Sequence, residues 1–524
     1  MLSSPLLVSC LAVLAAAATS GAGAAPSSRA LHAANSTKLH YSNHIFNAIH
    51  SSMRQWGSSL NHNGMSFFLA TVPEGTQLYH GTHSPEPVKG TEWLAFEPEH
   101  AMIFAGPKRF GPPPGRDGRH RKPGRPGDGP HRPPEHRPRD EIQKPLRGHH
   151  DDEHEHPPHP PHPPHSGEAG WLHTYAARKD LRLLYIDGMS AAKSNKGVFD
   201  TQDRILFNDT LHGPGFLEYE RAKKVCEIAQ RDWDDRIDGV IRMEAGFEII
   251  LCSFARDLDV VRITRAKGGD VPPMPGPGMD KYPEDMFLYY KAITSRYHGI
   301  GGDRVRLNYD HFVTAFAYGL DLFHGGELPR LVNLSKESLE PIRRDLYNLV
   351  TTHDAREESF NWQGVVDMIV TRYANELKYL VSGELSTTKL LHAELDRFLR
   401  PFIDYDVRNT TREVERCATQ FTPKHAPKNT LAAAVVHDVS STICSTLFSA
   451  LAEDDHGTAV AKIQKLIDYL AWTTWKECQG CGYHAVCFIP IWPVGSYEDR
   501  EHPRCRDELP RMDSGRYYWD DWMS

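Results

Sequence analysis

At 524 residues the chain has room for roughly two to four domains of ordinary size. Its 40% hydrophobic and 24% charged residues are globular proportions, which excludes a wholly disordered or fibrous chain. The formal net charge is −8 and no long basic stripe crosses a folded-looking segment, so no nucleic-acid partner is expected.

Residues 1–25 read as a secretory signal. Leu6 to Ala18 is an apolar run of the right length, and Ala18-Thr19-Ser20 or Ala22-Gly23-Ala24 supplies a cleavage triplet, although the preceding residues carry no Lys or Arg. The cysteines beyond it number eight, an even count expected to pair mostly as disulfides in an oxidising compartment: Cys226, Cys252, Cys417, Cys444, Cys478, Cys481, Cys487 and Cys505. Glycosylation sequons at Asn35, Asn208, Asn333 and Asn409 fit the same route. The chain ends RYYWDDWMS, without the hydrophobic tail of a lipid anchor. The expectation is a secreted or secretory-lumen glycoprotein with no membrane anchor.

After a polar lead-in at 26–41, Ile45, Phe46, Ile49, Met53 and Trp56 fall at helical spacing, which predicts a helix over Ser42–Leu60. A turn at Asn61–Gly64 precedes a β-rich run, Met65 to Val72. A short strand beginning at Gln77 delivers His80-Gly81-Thr82, and a further apolar run, Trp93 to Phe96, meets Pro98, a helix-start signal.

Residues 107–166 are a different polymer. They hold 17 of the 38 prolines and 10 of the 30 histidines and almost no large apolar side chains, too little to offset the entropy of ordering. We read them as a disordered insertion in a surface loop. Strands are then predicted at Leu181–Asp187, Ile237–Arg242, Phe247–Phe254 and Val260–Thr264, with a helix over Glu218–Asp234. Residues 42–265, less the insertion, thus form an α+β domain with a mixed sheet.

A Gly/Pro-rich linker at 266–279 opens a mainly helical domain, 280–476. Helices are predicted over Asp280–Arg296, Asp310–Phe323, Ser338–His353, Ser359–Val381, Thr387–Phe402, Thr430–Leu451 and Gly457–Trp475. A cysteine-containing tail, 477–524, closes the chain.

The sharpest chemical pattern is His80-Gly81 at a strand end with Glu248 on a later strand. Such a histidine can bond a ribose hydroxyl, and a glutamate can stabilise an oxocarbenium-like centre. With the aromatic residues Tyr79, Trp93 and Phe96 between them, and Asp238-Gly239 ahead of the glutamate strand, residues 65–262 resemble the ADP-ribosyltransferase superfamily in its His–aromatic–Glu branch. That resemblance implies an ADP-ribosyltransferase-like domain whose His-Gly strand, aromatic segment and late glutamate line an NAD cleft. It gives His80 and Glu248 the catalytic roles and makes Tyr79, Gly81, Thr82, Trp93 and Phe96 cofactor-binding. Trp93–Phe96 stands where the branch has its middle tyrosine or serine, and Glu244 competes with Glu248.

Other patterns carry less chemistry. His154, His156, His159, His162 and His165 of the insertion can hold a transition metal only loosely, because nothing preorganises them. Cys478-x-x-Cys481 reads as part of a disulfide framework rather than a zinc or redox site. Gly299–Arg304 is expected to be a loop before a helix capped by Asp310, and Lys193–Gly197 an ordinary turn.

Through WLAFEPEHA (93–101), LLYIDGMSAAK (183–193), DTQD (200–203), DGVIRMEAGFEIILC (238–252) and GIGGDRVRLNYD (299–310), stretches that span most of its ordered part, the chain also resembles a fungal family of secreted proteins without assigned activity. Two functions are expected from different classes. One is an NAD-using ADP-ribosyltransferase or NAD glycohydrolase. The other is a non-catalytic cell-wall or surface binding protein whose His-rich loop takes metal loosely.

Overall fold

A computed structural model describes residues 39–61, 63–106, 169–194, 196–213, 217–267, 284–510 and 518–519. The signal, Asn35, the His-rich tract and most of the 266–279 linker lie outside them.

The centre is a nine-stranded sheet: β1 (Asn63–Val72), β2 (Gln77–Thr82), β3 (Glu92–Ala95), β4 (Trp171–Ala177), β5 (Leu181–Gly188), β6 (Gly239–Met243), β7 (Phe247–Leu251), β8 (Leu258–Arg265) and β9 (Arg306–Thr314). Their spatial order is β8-β4-β2-β3-β7-β6-β5-β1-β9. The β5–β6 pair is parallel and the other pairs are antiparallel. β6 (GVIRM) and β7 (FEIIL) are buried along their whole length and are apolar but for Arg242 and Glu248.

The β9 assignment corrects the expected Asp310–Phe323 helix. Tyr309, Phe312, Val313 and Thr314 favour an extended chain, and this stretch pairs with β1. Asp310 does not cap a helix here. Its carboxylate accepts from the Phe360 backbone N–H (2.9 Å) and from Trp362 Nε1 (3.0 Å). The sheet thus takes strands from both sides of 266–279.

The predicted Ser42–Leu60 helix is two helices, Ser42–Ser51 and Gln55–Asn61. Met53 between them has φ +53°, outside the helical range, and its N–H donates to Tyr185 Oη. The first helix leans on the helical half of the chain. Asn43 and Asn47 donate to the carbonyls of Tyr469 and Leu470.

That half contains helices at Lys336–Thr352, Trp362–Leu380, Thr388–Leu399, Leu431–Leu451 and His456–Leu470, close to expectation, and one at Thr410–Ala418 that was not expected. The stripe Val365, Ile369, Tyr373, Leu377 and Leu380 is buried. Leu431–Leu451 is long and apolar enough to cross a membrane by length and composition, but here it packs among neighbouring helices with much of its surface buried.

The eight cysteines among the described residues all pair: Cys226–Cys252, Cys417–Cys444, Cys478–Cys487 and Cys481–Cys505. Two of these bridges staple the tail, where Cys505 also faces Cys487 across a two-stranded ribbon. The described residues on either side of 107–168 meet, Gly170 N–H donating to the Ala105 carbonyl at 3.0 Å.

Candidate functional site

The sheet sets Tyr79, Ala95, Glu248 and Arg242 in one cross-strand row, through the registers Tyr79↔Ala95, Ala95↔Glu248 and Arg242↔Glu248. Residues directly opposite on paired strands point to the same face. The aromatic-bearing strand β3 therefore lies between the His-Gly strand and the glutamate strand. β2 and β3 share the single partner pair Tyr79↔Ala95. Toward Gly81, the His80 Nδ1–H donates to the Trp93 carbonyl at 2.8 Å, a side chain joining the two strands where no further strand pair forms.

Over this row sits a cavity of about 80 Å³, walled by Tyr79, Gly81, Trp93, His100, Phe104, Glu218, Tyr219 and Glu248, with His80 and Glu92 also on its lining. The short helix Pro98–Met102, with Pro98 in its first turn, forms one wall. A Cβ on Gly81 would lie 1.8 Å from the Ala101 carbonyl oxygen, so only glycine lets that helix approach so closely. The helix Glu218–Arg231 forms the opposite wall and is tied to β7 by Cys226–Cys252.

Glu248 is buried and bonded. Arg242 Nε donates to its Oε1 at 2.7 Å, and Arg242 also reaches Glu218 and Gln202. Glu244, at the β6–β7 turn, pairs instead with Lys193 at 2.5 Å, and Lys193 stands 3.6 Å from Glu218. Three carboxylates and three cations thus share a buried cluster, Arg221 joining at 3.9 Å from Glu218. Burial pushes Glu244 up to about 7 despite Lys193, with Glu248 and Glu218 adding to the rise. Burial would also raise Glu218, but Arg242, Lys193 and Arg221 outweigh it and hold that carboxyl at about 2. Lys193, expected in an ordinary turn, is fully buried because two of these acids meet it.

The sequence-derived residues divide as follows. Tyr79, His80, Gly81, Trp93 and Glu248 line the cavity. Thr82 and Phe96 are buried outside the lining. Phe96 lies instead beneath the Arg304 guanidinium. Alternation along β2 sends Tyr79 toward the Glu248 face and the His80 side chain the other way, where its ring meets those of His173 and Phe254. His80 and Glu248 therefore border one cavity without facing each other as a side-chain pair. Burial lowers His80 to about 4, so its imidazole is neutral.

Three buried polar atoms of the lining residues make no hydrogen bond: His100 Nδ1, Trp93 Nε1 and Glu218 Oε1, the last within ion-pair distance of Lys193 (3.6 Å) and Arg221 (3.9 Å). Burial, with help from Lys193, lowers His100 to about 4. Burial also raises Glu92 to about 8, leaving a neutral carboxyl at the rim. His100 escaped sequence reasoning because nothing in EPEH distinguishes a wall histidine from a solvent-facing one. The signal that marks it is tertiary: a Cβ on Gly246 would lie 2.9 Å from His100 Nδ1.

A larger cavity, about 530 Å³, lies between the N-terminal helices and the helical half. Its lining includes His44, Asn47, Asp187, Trp472 and Arg500. Asp187 accepts from Ser66 N–H at 2.8 Å, and burial raises its carboxyl to about 7. Asn208, Asn333 and Asn409 are exposed.

Residues 32–270 match a family model described as the YPL277C N-terminal domain. Two curated relatives from Saccharomyces cerevisiae are similar to this chain, the "Uncharacterized protein YOR389W" and the "Uncharacterized protein YPL277C". Each is 33% identical over 223 residues, 41% of this chain. The match spans 31% of the first relative's length and 40% of the second's. The similarity therefore points to an uncharacterised fungal family and centres on the half of the chain that carries the cavity. No solved structure matches.

Proposed function

We propose that the Glu248 cavity receives the nicotinamide-ribose end of NAD, and that the chain is an ADP-ribosyltransferase-like enzyme whose basal reaction is NAD hydrolysis. The observation that carries this reading is the pair of unpartnered buried atoms, His100 Nδ1 and Trp93 Nε1, beside Glu248 in an aromatic-walled cavity. Buried polar atoms are ordinarily bonded, so two unbonded ring nitrogens on residues that wall one cavity suit a ligand with a carboxamide. About 80 Å³ admits a planar ring, whereas whole-ligand pockets run to ~300–1,000 Å³, so the rest of the dinucleotide lies outside.

In this reading the bond from ribose C1′ to the nicotinamide nitrogen breaks and the electron pair leaves with neutral nicotinamide. The Glu248 carboxylate stabilises the cationic ribose centre. Water then adds at C1′ and gives its proton to solvent. Arg242 holds the carboxylate in place. His80 acts as a strut, its bond to the Trp93 carbonyl joining β2 to β3 beside the mouth. An exported location goes with this reading. The apolar run at Leu6–Ala18 and four cysteine pairs support it.

The test is nicotinamide release from NAD by the full chain and by Glu248→Gln. A loss of about 100-fold or more is expected, the scale of removing one electrostatic stabiliser. Equal turnover by the variant would sink the proposal, as would no turnover and no nicotinamide binding by the wild type.

A further inference from the structure

Far from that cavity, at the β9 edge of the sheet, His311, His353 and Glu357 come together. His311 projects from β9, His353 is the C-cap residue of the Lys336–Thr352 helix, and Glu357 follows in the next turn. The two imidazoles stack with centroids 3.7 Å apart and planes 16° from parallel. His353 Nδ1 lies 3.4 Å from Glu357 Oε2, and one ligand atom from each of the three residues falls within 4.8 Å of the others.

We propose that His311, His353 and Glu357 bind a divalent first-row transition ion that ties the end of the Lys336–Thr352 helix to β9. Zn²⁺ bonds histidine nitrogen and carboxylate oxygen at ~2.0–2.2 Å, so tetrahedral neighbours stand roughly 3.3 Å apart. The His353–Glu357 separation is close to that value, and the stacked His311 ring must swing out of its parallel arrangement so that its in-plane nitrogen lone pair converges on the same ion. Two imidazoles and one carboxylate form a donor set for Zn²⁺, leaving a fourth position to water.

The surroundings hold the ligands for this role. Glu357 Oε1 accepts from Asp354 N–H at 2.9 Å, which leaves Oε2 toward the histidines. Arg356, the nearest cation in sequence, is bound to Asp354 at 2.7 Å rather than to Glu357. Arg236 donates to the carbonyls of Val350 and His353 and so fixes the helix end that presents the second imidazole. The ligands come from a strand, a helix cap and a turn set by the fold. That preorganisation separates them from a flexible histidine tract.

The experiment is a thermal melt of the full-length protein with and without Zn²⁺, in the wild type, His311→Phe and Glu357→Gln. Phenylalanine keeps a ring stacked on His353 while deleting the ligand atom. Zn²⁺ is expected to raise the wild-type midpoint by a few degrees, reversibly with chelator, because an ion that binds only the folded state stabilises it. Both variants should lose that rise. An unchanged wild-type midpoint, or an equal rise in Glu357→Gln, overturns the proposal. The second outcome would assign Zn²⁺ to other histidines. Should His311→Phe fold poorly, the exposed Glu357→Gln carries the comparison.

Discussion

Arg242 and Glu248 face each other across β6 and β7, with Arg242 Nε 2.7 Å from Glu248 Oε1 and both side chains buried. Arg242 also reaches Glu218, so one guanidinium compensates two carboxylates. Replacing it with Met leaves Glu218, Glu244 and Glu248 with Lys193 and, 3.9 Å from Glu218, Arg221 as their cations, and takes from Glu248 the guanidinium that bonds it. Breaking a buried pair from one side costs about 3–5 kcal/mol. Arg242→Met is therefore expected to lose that much in denaturant unfolding. Arg242→Lys should lose less, because it keeps the charge while giving up the forked contact. Equal stability of all three proteins would remove the cluster from the fold's foundations.

Gly81 is the second sensitive point. The 1.8 Å approach of a Cβ to the Ala101 carbonyl means that Gly81→Ala must displace the Pro98–Met102 helix, which carries His100 into the cavity wall. Overpacking of this kind costs ~1–3 kcal/mol. The expected outcome is a lowered melting midpoint together with weakened nicotinamide binding, read by calorimetry. Retention of both would show that the helix yields without moving His100.

How far the sequence speaks depends on distance along the chain. β2, β3 and β7 carry their apolar runs locally, and the Pro98 helix start is written in the residues themselves. The place of Glu248 in the same cross-strand row as Tyr79 follows only once β3 is known to lie between them. Lys193 looked like turn chemistry because the acids that bury it, Glu218 and Glu244, come from a helix and a hairpin tens of residues away. β9 was misread for the same reason. DHFVTAF fits helical and extended spacing alike, and what decides between them is a partner strand some 240 residues earlier. The turn of the His80 side chain away from the Glu248 face is set by alternation from Tyr79, legible in principle once the row is fixed.

The Cys226–Cys252 bridge closes 26 residues between the Glu218–Arg231 helix and the end of β7. A crosslink over a loop of that size contributes roughly 3 kcal/mol through the unfolded chain. The double variant Cys226→Ser, Cys252→Ser should unfold at lower denaturant by that amount, and it should loosen the wall that carries Glu218 and Tyr219. Peptide mapping under non-reducing conditions should recover the pairs 226–252, 417–444, 478–487 and 481–505. A different partner for Cys226 would detach that wall from β7.

Asp187 gives stability a pH dependence of known sign. Its carboxyl ordinarily titrates at 3.8, and burial raises it to about 7 in the folded chain. Between those values the folded state holds a proton that the unfolded state has released. The contribution is therefore fully present below about pH 4, falls as pH rises, and levels off above about pH 7. Each pKa unit is worth about 1.4 kcal/mol, so the loss across the window is on the order of a few kcal/mol. Asp187→Asn keeps an acceptor for the Ser66 N–H and does not titrate. Unfolding free energies of the two proteins, measured from pH 4 to pH 8, should diverge in favour of the variant as pH rises and run parallel above 7. Curves parallel throughout would mean that Asp187 is already ionised in the folded protein, and that the large cavity beside it is wetter than its burial indicates.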